Sequence, residues 1–323
     1  MMPAEWDEHR AVWLALPHDQ EEWGEFFRAA RKAVVELATR IASDGGDTVE
    51  LLVPEGEFVD IEGVRCHALA YGDIWLRDTG PVFTRRGGEL RAARFDFNGW
   101  GGKYLFEGDT EVASMIAALR SVPVDHHHWT LEGGAVDVDG EGTLLTTRQC
   151  LQNPNRNPGL DEAEIDRRLA RALGATQVIW LDRGLAGDHT DGHVDNIARF
   201  VAPGRVVCMR PSGQGDPNRE VLAEIRDTLA AARDAAGRTL DIVELPSPGL
   251  VQGPAGAMPA SYCNFLICNQ LVVVPTFGVP QDQVALDTLA ELFPGRQITG
   301  LDAFALLTGG GTVHCISQQE PIP

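Results

Sequence analysis

Cys315 follows three consecutive glycines in the segment Gly309-Gly310-Gly311-Thr312-Val313-His314-Cys315. A glycine run lets the backbone approach a ligand closely and take positive φ, and Gly310 at its centre is expected to line the substrate. A thiol just beyond such a run is a candidate nucleophile; the alternative is the small, buried, apolar role that most free cysteines play. A second segment, Asp188-His189-Thr190-Asp191-Gly192-His193-Val194-Asp195-Asn196, crowds acids and histidines beside an apolar strand. Carboxylates next to an imidazole orient and tune it as an acid/base near neutral pH, which singles out His193. Glu132, ahead of Gly133-Gly134, and Asp78, in Arg77-Asp78-Thr79-Gly80, occupy turn-like contexts and gain meaning only in combination with the others.

One chemistry uses all of these groups. A guanidinium is permanently charged and offers planar, forked donors, so a site for it needs two or more carboxylates near its plane. Asp78 and Asp195 fit that need. Hydrolysis at the central carbon of a resonance-stabilised cation calls for a strong nucleophile on the face and an acid for departing ammonia. Cys315 and His193 fit those roles.

Other chemistries use fewer of the residues. His189 and His193 have H-x3-H spacing and, with Cys315 or Asp195, are the candidates for a hydrolytic zinc site. The sequence lacks HExxH, however, and Gly192 weakens a helical ligand face. His126-His127-His128 cannot all converge on a metal from a strand, because successive side chains point to opposite faces. Neither GxGxxG nor GxxxxGK[ST] occurs, so no nucleotide cofactor is expected. A non-catalytic binding platform remains as an alternative, against which the acid-histidine segment argues.

The elements that must position these residues repeat. Amphipathic helical periodicity appears at about 24–43, 109–120, 161–174, 217–236 and 281–293. A strand precedes each helix (Val12–Leu16, Arg91–Phe97, Thr143–Thr147, Arg205–Met209, Leu271–Pro275) and another follows it (Thr48–Val53, Val122–His126, Gln177–Leu181, Leu240–Leu245, Gln297–Gly300). A third comes next: Val64–Leu69, Ala135–Val138, Asp195–Val201, Tyr262–Cys268 and Val313–Ile316. The pattern is a strand-helix-strand-strand unit used five times, as in a closed array of blades; a plain mixed α/β sheet is the alternative. If the units surround one axis, the polar motifs between successive strands converge there.

Composition bounds the function. The chain has 323 residues, 27 Lys and Arg against 47 Asp and Glu, and a net charge of −20. That charge disfavours nucleic acid or an anionic membrane as partner and suits a small cationic substrate. No apolar run reaches the roughly 18 to 20 residues of a membrane span, and the N-terminus does not read as a secretory signal, so a cytoplasmic location is expected. Six cysteines without CxxC spacing indicate neither a disulfide scaffold nor a zinc ribbon.

Taken together, the motifs resemble the agmatine deiminase family, which includes bacterial peptidyl-arginine deiminase-like proteins and lies within the guanidine-modifying superfamily. The likeness runs from Met2-Pro3-Ala4-Glu5-Trp6 through Trp75-Leu76-Arg77-Asp78-Thr79-Gly80-Pro81, Phe97-Asn98-Gly99-Trp100-Gly101-Gly102-Lys103, Leu131-Glu132-Gly133-Gly134, Asn153-Pro154-Asn155-Arg156-Asn157-Pro158 and His193-Val194-Asp195-Asn196. It ends at Gly309–Gly311, His314-Cys315-Ile316 and Gln318-Gln319. The resemblance implies one domain over residues 1–323, a five-bladed α/β propeller of pseudo-fivefold symmetry with its site on the axis. It implies Cys315 as nucleophile, His193 as acid/base, Glu132 as its carboxylate partner, Asp78 and Asp195 as guanidinium clamps, and Trp75 packed on the substrate's aliphatic stem. The expected reaction is hydrolytic deimination through a cysteine thiouronium, agmatine to N-carbamoylputrescine as in polyamine biosynthesis, with no cofactor and no metal. Arginine, arginyl peptides or an amidino acceptor are the alternatives, and a homo-oligomer is left open. Leu16-Pro17, His189 and Thr312-Val313 depart from the family pattern and bear on the far end of the substrate.

Overall fold

The structure, a computed structural model, describes residues 1–254 and 256–323. It is a mixed α/β fold whose strands group into five sheets and one hairpin. The first sheet holds β1 (His9–Ala15), β2 (Thr48–Val53) and β3 (Val64–Ala68), the second β4 (Val82–Arg86), β5 (Glu89–Asp96) and β6 (Val124–Thr130). The third holds β7 (Asp137–Val138), β8 (Thr143–Thr147) and β9 (Gln177–Leu181), the fourth β10 (Ala198–Ala202), β11 (Arg205–Arg210) and β12 (Asp241–Pro246). A hairpin of β13 (Val251–Gly253) and β14 (Gly256–Met258) precedes the fifth sheet, β15 (Leu266–Ile267), β16 (Leu271–Thr276) and β17 (Gln297–Asp302). The last strand, β18 (Gln318–Pro321), returns to pair with β1.

Each sheet follows one rule: an antiparallel neighbour first, then a helix, then a parallel neighbour. β4–β5, β7–β8, β10–β11 and β15–β16 are antiparallel, while β5–β6, β8–β9, β11–β12 and β16–β17 are parallel. β18–β1–β2 repeats the pattern with its first strand drawn from the other end of the sequence. The parallel crossovers are α1 (Phe27–Arg40), α2 (Val112–Leu119), α3 (Glu162–Leu173), α4 (Arg219–Ala231) and α5 (Gln281–Leu292). Short parallel strands need such a crossover because a tight turn cannot reverse the chain twice.

The strands and helices expected around each crossover are all present, but the grouping shifts by one strand. In the second, third and fourth expected units the third strand pairs with the strand that opens the next, so the observed unit is strand-strand-helix-strand, whereas Val64–Leu69 stays with its own unit as β3, parallel to β2. β10, for example, forms its ladder with β11. Val313–Ile316 is a turn instead of a strand, and β18, which starts at Gln318, takes its place. β4 was not foreseen.

Local chemistry explains the helices. In α3, Asp161 caps the N-terminus by accepting from the Glu164 amide at 2.8 Å, Gly174 ends the helix in the left-handed region, and Ile165, Leu169, Ala172 and Leu173 share the buried face. In α1, Val34, Leu37 and Ala38 pack onto β1 and β2 within one apolar cluster. Truncating Leu37 to Ala there would cost about 2–5 kcal/mol. β16 reads Leu-Val-Val-Val-Pro with every residue buried, as expected of a strand covered on both faces. Loops leaving these rigid strands carry the polar motifs inward.

Candidate active site

Four segments bring the residues singled out above into one buried cluster. Asp78 lies on the single helical turn Leu76–Thr79, Glu132 between β6 and the 3-10 turn Gly133–Ala135, and His193 and Asp195 at the entry to β10. Cys315 lies in the turn that leads to β18. His193, Asp195 and Glu132 have no exposed surface, while Cys315 is 5% and Asp78 7% exposed. The Arg77 amide donates to the carbonyl of Cys315 at 3.1 Å, stitching the first segment to the last.

The thiol is held by a residue outside the expected set. Asn264 donates from Nδ2 to Cys315 Sγ at 3.1 Å, and its Oδ1 accepts from the amides of His314 (3.1 Å) and Cys315 (3.3 Å) and from Thr312 Oγ1 (2.6 Å). Asp195 Oδ2 lies 3.7 Å from the sulfur and accepts from His314 Nδ1 at 2.7 Å. The other ring nitrogen of His314 meets Glu5 Oε2 at 2.8 Å, and Glu5 also accepts from Arg199 at 2.5 Å. A buried chain of charge-assisted bonds thus ends on the carboxylate beside the thiol.

Around His193 the carboxylates are close but not bonded. Asp78 Oδ2 is 3.7 Å from Nδ1 and Glu132 Oε2 is 4.0 Å from Nε2. Among the described residues neither ring nitrogen has a hydrogen-bond partner, and neither has Asp195 Oδ1. Asp78 is fixed from both sides, by Trp100 Nε1 at 2.9 Å and the Gly134 amide at 2.9 Å. Glu132 is fixed by Arg156 Nε at 2.6 Å, and the same guanidinium reaches Asp191 at 2.7 Å and the Thr190 carbonyl at 2.9 Å. Arg156 therefore holds the His193 loop and the Glu132 segment together.

Only glycine fits the floor. A Cβ on Gly134 would stand 2.6 Å from His193 Nδ1, 3.0 Å from Asp78 Oδ1 and 3.1 Å from Asp195 Oδ2. One on Gly311 would meet both Cys315 and the Trp75 ring at 2.8 Å. Imidazole, two carboxylates, thiol and indole therefore share one small volume.

The charges in that volume are unbalanced. Burial lifts the Asp78 carboxyl, and Asp195 and Glu132 add to the effect against the opposing pull of His193. Burial alone would depress His193, but Asp78, Glu132 and Asp195 outweigh it and the imidazole holds its proton more tightly than usual. Burial also opposes the charged form of Asp195, yet the hydrogen bond and charge of His314 keep it ionised below the usual range. The Cys315 thiol is pushed well up by burial and by Asp195 and Asp78. Three carboxylates face one imidazole there, an arrangement that favours a positively charged partner.

A cleft of about 410 Å³ opens next to this pit. Gly309 and Gly310 line it, with Gly310 at φ 114°, and so do Trp23, Glu22 and His189. Trp75 is not on the cleft wall itself. It stacks on Trp23 at 5.9 Å, and both indoles donate to Asp73, at 2.7 and 3.1 Å. A larger cleft of about 530 Å³ lies along Arg183–Asp188 and contains none of the five groups, as does the first. The Gly310 side is the relevant one, because its glycines run into the residue packed on Cys315.

His189 and His193 do not form the H-x3-H pair. Exposed His189 faces the cleft near Gly310, whereas buried His193 faces Asp78 and Glu132. Among the described residues His193 could share a metal only with Glu132 and Cys150, whose thiol is kept protonated by burial and by Glu132. Asn264, Arg156, Glu5, His314 and Arg199 were not assigned roles from sequence. Glu5, Arg156 and His314 stand inside the quoted motifs, which is the signal that could have found them; Asn264 and Arg199 carry none.

With the fold and the pit described, comparison supplies the class. Residues 1–321 match the profile of the Porphyromonas-type peptidyl-arginine deiminases, and the chain belongs to that family. An agmatine deiminase of Pseudomonas fluorescens is 35% identical, with 100% of this chain and 95% of that protein covered. The structure of an agmatine deiminase of Enterococcus faecalis superimposes with a TM-score of 0.94 at 32% identity, covering 99% of this chain and 95% of that one. A C. jejuni agmatine deiminase with substrate bound gives 0.91 at 29% identity, with 98% and 95% covered.

Proposed function

We propose that this protein hydrolyses agmatine to N-carbamoylputrescine and ammonia, with Cys315 as nucleophile, His193 as acid/base and Asp78 and Asp195 as guanidinium clamps. One observation carries the reading: Asp195 Oδ1, a buried acceptor on the carboxylate beside the thiol, has no partner among the described residues. Buried polar groups are costly unless paired, and a planar cation rich in N–H donors would satisfy the acceptors and offset the excess of carboxylates.

The chemistry runs in two halves. The guanidinium brings positive charge to the sulfur and lowers its pKa, so the thiol releases its proton to solvent and the thiolate forms in the complex. Sulfur adds to the central carbon, and His193 gives a proton to the departing nitrogen, which leaves as ammonia. His193, now neutral, takes a proton from water as the oxygen adds to the thiouronium carbon. Collapse expels the thiolate and leaves a ureido group. Glu132, anchored by Arg156, stabilises the imidazolium form of His193. Neither metal nor organic cofactor enters.

The tail would lie along the cleft. Trp23, backed by the Trp75 ring stacked behind it, gives the cleft an aromatic wall that leads towards Glu22, the one carboxylate among the described residues lining the cleft. An aliphatic stem ending in an ammonium suits that wall and rim better than a carboxylate tail does. The five strand-strand-helix-strand units are read as blades about one axis, forming a single domain over residues 1–323, which explains why four distant segments meet. No helix among the described residues is long and apolar enough to cross a membrane, in keeping with a cytoplasmic enzyme.

Ammonia and ureido product are measured on agmatine, free arginine and arginyl peptides, with Cys315→Ser alongside. Agmatine should be turned over fastest and the variant should lose at least about a thousandfold in rate. Ammonia release by Cys315→Ser at the wild-type rate would overturn the mechanism.

A further inference from the structure

The histidine run at 126–128 is not explained by the thiol site. His127 points away from its neighbours and stacks on Phe95 at 5.1 Å. His126 and His128 share the other face, as alternation along a strand requires. The ladder between β5 and β6 is irregular there: Phe95 pairs with His127 but Asp96 with Thr130, so His128 and Trp129 bulge out opposite one step of β5. Bulges re-aim side chains, and this one brings His128 over the carboxylate that ends β5. His126 Nε2 lies 2.9 Å from Asp96 Oδ1, His128 Nδ1 lies 4.0 Å from the same oxygen, and the two rings are 4.0 Å apart. One ligand atom from each residue falls within 4.8 Å of the others, and all three residues are exposed.

We propose that Asp96, His126 and His128 form a surface site for a divalent transition-metal ion of the zinc class, completed by water. Two imidazoles and a carboxylate, each needing to stand about 2 Å from a common point, require only small side-chain rotations from this arrangement. The donor set favours zinc, nickel or copper over magnesium and calcium, which prefer all-oxygen shells. The site shares no ligand with the thiol pit, so the ion takes no part in the reaction. Its place in the fold gives it a role nonetheless. β5 continues through the turn that carries Trp100, whose indole fixes Asp78, and β6 runs directly into Glu132. An ion bridging Asp96 to His126 and His128 clips together the strand end that leads to Trp100 and the one that leads to Glu132.

The test is zinc titration of the metal-stripped, tag-free full chain by calorimetry, in wild type, Cys315→Ser, His126→Ala, His127→Ala and His128→Ala, with magnesium as a control cation. One equivalent of zinc should bind to wild type, Cys315→Ser and His127→Ala alike. Affinity should fall at least tenfold in His126→Ala and in His128→Ala, and magnesium should give no saturable heat. Absence of zinc binding to the wild type, equal binding by wild type and His128→Ala, or an equal loss in His127→Ala would each overturn the proposal.

Discussion

Asp195 and His314 meet at 2.7 Å, so the carboxylate beside the Cys315 sulfur is oriented by the residue that immediately precedes that sulfur in the chain. The imidazole is in turn bonded to Glu5 at 2.8 Å. Substituting His314 by Ala leaves both buried carboxylates without their common donor. Charge-assisted hydrogen bonds contribute about 1.5–3 kcal/mol each, so kcat/KM on agmatine should fall by about 10- to 100-fold. Steady-state kinetics check this, and a change smaller than twofold would remove the positioning role.

Gly134→Ala isolates the geometry of the pit. The backbone at Gly134 lies outside the left-handed region, so alanine is tolerated there conformationally. Its methyl group would nevertheless meet His193 Nδ1 at 2.6 Å. Displacing a catalytic group by about 1 Å can cost about a hundredfold in rate. Ammonia release should drop by about that factor, and wild-type kinetics in this variant would place His193 elsewhere in the reaction.

Cys315 should be sluggish toward alkylation until substrate arrives. With the thiol pushed well above its ordinary range by burial and two carboxylates, the free enzyme carries sulfur in its protonated form through neutral pH. Inactivation by iodoacetamide should therefore keep accelerating as pH rises past 9. A rate that has already levelled off at pH 7 would show a preformed thiolate and contradict the mechanism.

Glu22 tests the reading of the tail. If its carboxylate faces the ammonium of agmatine, Glu22→Gln should lower the ratio of kcat/KM for agmatine over n-butylguanidine by about fivefold, the order of a solvent-screened ion pair. An unchanged ratio would move recognition of the amine to another residue.

Asp109 supplies a pH dependence of stability. Burial lifts its carboxyl to about 6, against hydrogen bonds from the amides of Phe106 and Asp73. An unfolded aspartate titrates near about 4. Between those values the native state holds the extra proton, so this residue makes stability fall as pH rises through the window and level off above it. Chemical denaturation of Asp109→Asn should show a smaller loss from pH 4 to pH 6 than the wild type, and parallel curves would refute the assignment.

Much of the frame could be read in the sequence because local patterning and buried ladders agree. Strands such as β8 and the first five residues of β16 are runs dominated by Val, Leu and Thr and buried on both faces. Partnership was harder, since β10 pairs with the strand that follows it, and nothing in its own residues names that neighbour. β4 escaped because its charged Arg85-Arg86 end runs into Gly87-Gly88 and looks like a loop. Val313–Ile316 has strand composition, but the side chain of Asn264 takes the amides of His314 and Cys315 and folds the segment into a turn. The acid, histidine and cysteine motifs stand out in the sequence because of their density. Asn264 and Arg199 do not, because a lone polar residue beside an apolar strand reads as surface.

The pairing of β18 with β1 joins segments about three hundred positions apart, and Cys315 sits just ahead of that final strand. The place of the sulfur therefore depends on contacts of very high sequence separation, which form late in folding because closing so long a loop costs entropy before the ladder can offset it.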